Sequence, residues 1–211
     1  MPKVTRSDEE VEAVRDNILD VALKILVKNG YEGLSMSKIG AKMKMTAANI
    51  YNYYANKDEL LIAIHKKAYL MLYENLNRAV EMSDTPLARY QNLVFAFVEF
   101  GLRNINIYDI MFNRPIRQHS DYVGTSQEAL SDDEFRSSLR VLFLAVKIIQ
   151  EYRETRPDLP SVAPEVLTLQ NFSALHGIIS LHNSGTFSQV TDDQDAMLKI
   201  IIENAMRCVT G

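Results

Sequence analysis

Residues 35–61 read SMSKIGAKMKMTAANIYNYYANKDELL, and the fold follows from them. Ser35 or Ser37 can cap a very short helix that turns Ile39 and Met43 inward. Lys44-Met45 breaks that helix, and Thr46 offers a second cap for a helix over 47–53. Ile50 and Tyr54 then share one face and belong to a core, whereas Asn52 and Tyr53 lie on the outer face. Asn56 caps a third helix, with Asp58 and Glu59 in its first turn to complement the helix dipole. The pattern is helix, tight turn, helix, and then a long helix running to about Met82.

Helical periodicity continues on both sides. In 8–29, Val11, Val14, Ile18, Val21/Ala22 and Ile25 recur every three or four residues, and Asn29-Gly30 closes the segment. Ser83-Asp84-Thr85-Pro86 predicts a turn with proline in the first helical position. An aromatic-rich helix follows to about Asn104, and then a short one stopped near Pro115. Residues 120–131, with Gly124, predict a loop. Ser131-Asp132-Asp133-Glu134 predicts a helix start reaching about Arg153, and two more helices fit 164–184 and 193–208. No alternating strand pattern occurs, so the fold class is all-α with about nine helices.

The chain has 211 residues, 47% of them hydrophobic and 24% charged, with 8 Gly, 6 Pro and one Cys. This composition fits a globular chain with a real core and excludes collagen-like, disulfide-stapled and Cys-rich zinc architectures. The first fifteen residues are polar, and no apolar run approaches the length of a membrane span. A cytoplasmic protein with no membrane partner is the expectation. Net charge is −4, which by itself disfavours a polyanionic partner, but the charge is uneven. Residues 24–57 hold six lysines (24, 28, 38, 42, 44 and 57) against Glu32 alone, a +5 island in an otherwise acidic chain. Such asymmetry points to a localised polyanion contact.

Signals of catalysis are absent. No GxGxxG, Walker A, HExxH or GxSxG occurs, so catalytic residues, metal and cofactors are all read as none. His176 and His182, six apart, fall on different helix faces, and His176 reads as a packed core or interface residue. Cys208 reads as a packing residue.

Within the basic island, the two short helices describe a helix-turn-helix, whose second helix would enter the DNA major groove. That helix begins with small residues (Thr46, Ala47, Ala48, Asn49), which permit close approach to base edges. Asn49 can pair with adenine, and the alanine methyls can touch thymine methyls. Tyr51, Tyr53, Lys38 and Lys57 suit phosphates, with Ser35, Ser37 and Asn52 completing the candidate surface.

The motif Leu34-Ser35-Met36-Ser37-Lys38-Ile39-Gly40, followed by Met45 to Leu61, closely resembles the DNA-binding domain of the tetracycline-repressor (TetR/AcrR) family of bacterial regulators. The resemblance covers about 8–68. Ala48 stands where the family often has Gly, a departure that bears on base preference, and Tyr54 stands where it often has Phe. Ala174-Leu175-His176-Gly177-Ile178-Ile179-Ser180-Leu181 is similar to a segment of one subgroup's penultimate helix, although the Trp often found shortly before it is absent. The resemblance implies a helix-turn-helix domain at 8–68 and a helical effector-binding and dimerisation domain at 69–211. It implies a homodimeric repressor that is released from a pseudo-palindromic double-stranded DNA operator by an unknown small-molecule effector. An architectural DNA-binding protein of the same fold is the alternative. Phe95, Glu99, Phe100, Met111, Phe112 and Phe143 are the candidate effector-pocket residues. The penultimate and last helices are expected to pair the subunits through Phe172, Leu175, His176, Ile179, Met197, Ile201 and Ala205.

Overall fold

The computed structural model describes residues 7–114 and 117–211. Among these are nine α-helices and no strand: α1 Asp8–Asn29, α2 Met36–Met43, α3 Ala47–Tyr51, α4 Lys57–Glu81, α5 Pro86–Arg103, α6 Ile105–Phe112, α7 Glu128–Glu154, α8 Pro164–Asn183 and α9 Gln194–Thr210. Single 3-10 turns occupy Tyr31–Gly33, His119–Tyr122 and Phe187–Gln189. Pro115, where α6 was expected to stop, lies outside the described residues.

The helix boundaries have local causes. Ser7 and Glu10 form a reciprocal capping box at the start of α1, and Gly30, at φ 67°, closes it with its N–H on the Leu26 carbonyl. Thr85 caps α5 ahead of Pro86, and Asp193 caps α9 through the Ala196 N–H. Two expectations need correction. The helix expected to start at Ser131–Glu134 begins at Glu128, so Ser131 is a buried residue inside α7. The Glu128 carboxylate reaches back to the Gly124 N–H at 2.9 Å, and Thr125 Oγ1 takes the Gln127 N–H at 3.2 Å. These earlier partners satisfy the helix start before Ser131 is reached, and the expected loop at 120–131 is largely helix and turn.

By contact, the chain forms two units that cut across α4 and α7. The first comprises the described part of 1–68 together with 106–136; the second comprises 69–105 with 137–211. Residues 106–136 belong by contact to the first unit, where they meet α1, the 31–33 turn and α4. In the first unit, Asn106 Nδ2 donates to the Val27 carbonyl at 2.8 Å, and Arg114 bridges Asp109 and Glu32. Lys66 and Lys67 pair with Asp133 and Asp20, each at 3.0 Å. The core here is built on Ile18, Ala22, Leu26, Ile39, Ile50, Leu60 and Ile64.

In the second unit, α8 packs on α9 and on α5. Tyr90 stacks on Tyr152, Phe97 meets Phe172 edge-on, and Asn171 Nδ2 donates to the Ala205 carbonyl at 3.1 Å. Leu167, Leu175, Ile178, Ile179, Ile202, Met206 and Val209 fill the space between.

Candidate nucleic-acid interface

The turn between α2 and α3 is built by the residues that end one helix and start the next. Lys44 adopts the left-handed conformation (φ 57°, ψ 36°). The Met45 N–H returns to the Gly40 carbonyl at 2.8 Å and the Lys44 N–H to that of Ala41 at 3.4 Å. This is the Schellman arrangement, with lysine in the place that usually holds glycine. Gly40 supplies the close approach instead. A Cβ on Gly40 would lie 2.8 Å from the Met45 carbonyl oxygen, 3.2 Å from Thr46 C and 3.3 Å from Ala47 N. Thr46 then caps α3, its Oγ1 accepting the Asn49 N–H at 3.2 Å. Of the two serines that could cap α2, Ser35 does so, through the Lys38 N–H.

The underside of α3 is fixed by Ile50 and Tyr54, both buried as the spacing requires. Burying one such side chain contributes about 1.5–3 kcal/mol, a large share of what holds so short a helix. The helix is shorter than expected, ending at Tyr51, with Asn52 and Tyr53 in the following turn.

A residue that sequence reasoning did not single out holds this turn to α1. The Arg15 guanidinium bonds the Tyr53 carbonyl and the Glu59 carboxylate and lies 4.4 Å from the centroid of the Tyr54 ring. The Tyr54 hydroxyl donates back to the Arg15 carbonyl at 3.3 Å, and burial pushes that phenol up to about 12. Glu59 also accepts the Ala55 N–H, while Asn56 caps α4 through the Glu59 N–H at 2.8 Å. The only signal in the sequence was one basic residue on the otherwise acidic start of α1.

Ser37, Lys38, Thr46, Ala48, Asn49 and Asn52 are exposed on α2 and α3 and in the turn after α3, and Tyr51 is 50% exposed. Ser35, Ala47, Tyr53 and Lys57 are partly covered. Lys57 Nζ sits 4.2 Å from the centroid of the Tyr31 ring, so its charge is held at the start of α4 rather than free in solvent. The structure thus gathers the eleven candidate DNA-contact residues around one short helix.

It does not gather the six candidate effector residues. Phe95, Glu99 and Phe143 are exposed, Phe143 at 61%, and Glu99 pairs with Arg103 at 2.8 Å on the surface of α5. Phe100 and Met111 are buried as packing residues of different units, and Phe112 lies against Tyr108. Helical spacing alone could not tell which side of each helix its neighbours would cover.

The candidate subunit-pairing set also divides. Leu175 and Ile179 lie in the chain's own core, whereas Phe172, His176, Met197, Ile201 and Ala205 are half-buried. Phe172 stacks on His176, and burial lowers the His176 imidazole below its usual range. The large apolar residues left exposed on α8 are Val166, Leu169 and Leu181, in one stripe with Gly177, where an added Cβ would meet open space. On α9, Ile200 is 57% exposed. Cys208, read as a packing residue, is exposed.

A capped, exposed α3 with small residues at its start, wedged against α2 by Gly40 and clamped to α1 by Arg15, defines the class as a helix-turn-helix regulator. Residues 18–64 match the family model for bacterial regulatory proteins of the tetR family, and residues 90–205 match the model for the tetracyclin repressor-like C-terminal domain. The chain belongs to the tetR family of bacterial regulatory proteins.

Among curated proteins, it is 30% identical over 81 residues to the HTH-type transcriptional repressor KstR of Mycolicibacterium smegmatis, covering 38% of each chain. It is 28% identical over 68 residues to the fatty acid metabolism regulator protein of Bacillus subtilis, covering 32% of this chain and 35% of that one. The alignments span about a third of the length of these relatives. Among solved structures, a protein of unknown function from Rhodococcus sp. RHA1 superposes with a TM-score of 0.75 over the whole of both chains at 21% identity. PfmR from Thermus thermophilus, a TetR family regulator, superposes at 0.61 with 17% identity, over 93% of this chain and 98% of that one. At these identities the likeness establishes the fold.

Proposed function

We propose that this chain is a transcriptional repressor that binds a pseudo-palindromic operator as a homodimer and leaves it when a small molecule binds. The observation that supports this reading most directly is the exposed start of α3, presented without bulky side chains on a fixed base. One five-residue helix reads too few bases for tight specific binding, and two such helices on a two-fold axis, about 34–36 Å apart, supply the rest. The exposed apolar stripe on α8 with Ile200 on α9 is the surface proposed to pair the subunits. The small-residue position Gly177 allows the partner helix to approach closely. The repressor role draws on the description of KstR as a repressor. Sequencing the fragments that the purified protein selects from genomic DNA tests the whole reading. A recurrent inverted repeat supports it, and recovery of random sequence overturns it.

Two substitutions separate positioning from readout. Lys57→Ala is expected to weaken binding to all DNA about equally and to lower the salt slope by about one unit per subunit. An unchanged affinity and slope would remove Lys57 from the phosphate contacts. Asn49→Ala is expected to relax the preference at one base position per half-site, at a cost of about 1–3 kcal/mol on the best site. Equal losses on specific and random DNA would make Asn49 a backbone contact.

A further inference from the structure

The reading helix α3 has five residues, too few internal hydrogen bonds to fix its own direction. Ile50 and Tyr54 seat its underside, but apolar packing is non-directional and sets no unique aim. The aim comes from polar groups around the joint at 52–56, between α3 and α4. Glu59, in the first turn of α4, accepts the Ala55 N–H through Oε2 at 2.6 Å and Arg15 Nη2 through Oε1 at 3.0 Å. Arg15 Nη1, reaching from α1, donates to the Tyr53 carbonyl. The Tyr54 hydroxyl returns a bond to the Arg15 carbonyl at 3.3 Å. One planar guanidinium therefore ties the turn after α3 and the start of α4 to the same point on α1.

Arg15 is basic and stands beside the reading surface, but its nitrogens are already engaged. Besides the two bonds from Nη1 and Nη2, its Nε lies 3.7 Å from Glu12 Oε1. The guanidinium rests 4.4 Å from the centroid of the Tyr54 ring, and the side chain is only 23% exposed. Two carboxylates thus face one guanidinium, a local balance that does not attract phosphate. We propose that Arg15 is a positioning residue that sets the sequence specificity of DNA binding without touching DNA. Its fork holds the Tyr53 carbonyl and Glu59 at a fixed separation, and that separation sets the angle at which Thr46, Ala47, Ala48 and Asn49 meet the base edges. The inference rests on the DNA-reading role proposed above for α3.

Positioning and phosphate binding respond differently to the loss of this side chain. A tilt of α3 leaves the exposed Lys38 able to follow the DNA backbone, because a flexible ammonium acts as a point charge. Base-edge contacts need close alignment, so the same tilt removes them. Without Arg15, specific binding falls and the non-specific, electrostatic part stays. Lysine at this position keeps the charge but lacks the rigid fork that bonds a carbonyl and a carboxylate together.

The test compares the full chain with Arg15→Met and Arg15→Lys on the selected operator fragment and on random duplex of equal length, over a series of salt concentrations. Circular dichroism melting sets a temperature at which each protein is folded; if Arg15→Met does not fold, Arg15→Lys carries the test. Both variants are expected to lose at least about tenfold in affinity for the operator. Affinity for random duplex should change less than about twofold, with the salt slope unaltered. Equal losses on both duplexes, with a slope lower by about one unit per subunit in Arg15→Met and recovery in Arg15→Lys, would make Arg15 a phosphate contact and overturn the proposal. Undiminished operator affinity in the folded variants would leave Arg15 a role in stability alone and overturn it as well. An original protein that does not distinguish the selected fragment from random duplex would instead count against the repressor reading, so the two failures are distinct.

Discussion

Gly40→Ala is expected to lower the urea midpoint of the protein and to reduce DNA affinity by at least about tenfold. Alanine inside a helix ordinarily gains up to about 1 kcal/mol over glycine. Here the new methyl would stand 2.8 Å from the Met45 carbonyl oxygen and 3.2–3.3 Å from Thr46 and Ala47 backbone atoms. These are backbone neighbours in the turn itself, so relief requires α3 to move away from α2. Overpacking of this kind costs about 1–3 kcal/mol, which outweighs the helical gain. The displacement also carries Thr46, Ala47, Ala48 and Asn49 out of register with the groove, so affinity falls more than stability would predict. Urea unfolding together with operator titration checks both parts. A Gly40→Ala protein equal to the original in both would show that the turn yields and that the close approach is unimportant.

The second large effect concerns assembly. Ile200 is 57% exposed in the single chain, so Ile200→Asp should change the stability of that chain little. In a two-fold dimer paired through α8 and α9, the same substitution buries a carboxylate in both subunits at once. Association is expected to weaken roughly 100-fold or more, giving a folded monomer at micromolar concentration that has lost specific operator binding. Sedimentation and circular dichroism distinguish this from unfolding. An original protein that sediments as a monomer would sink the dimer outright. A dimeric Ile200→Asp variant that still binds its operator would move the interface elsewhere.

Much of the first unit was legible because its instructions are local. Thr46 and Asn56 cap the helices that their neighbours begin, and Ile50 and Tyr54 are core because four residues bring side chains to one face. The gathering of Lys38, Asn49 and Asn52 on one surface follows from the same arithmetic, and so does the all-helical class. What spacing could not supply was the identity of the neighbour. Leu175 and Ile179 have the same periodicity as an interface stripe, but α9 and α5 cover them, leaving Leu169, Leu181 and Ile200 outside. Phe95 and Phe143 looked like pocket residues and are exposed, because apolarity states a preference for burial without stating where the cover comes from. Arg15 reaches Tyr53 and Glu59 across about forty residues of chain, and His65 meets Glu134 across nearly seventy. Local sequence determined which residues are helical, capped and inward-facing; long-range packing alone decided which polar groups meet, and which remain unsatisfied.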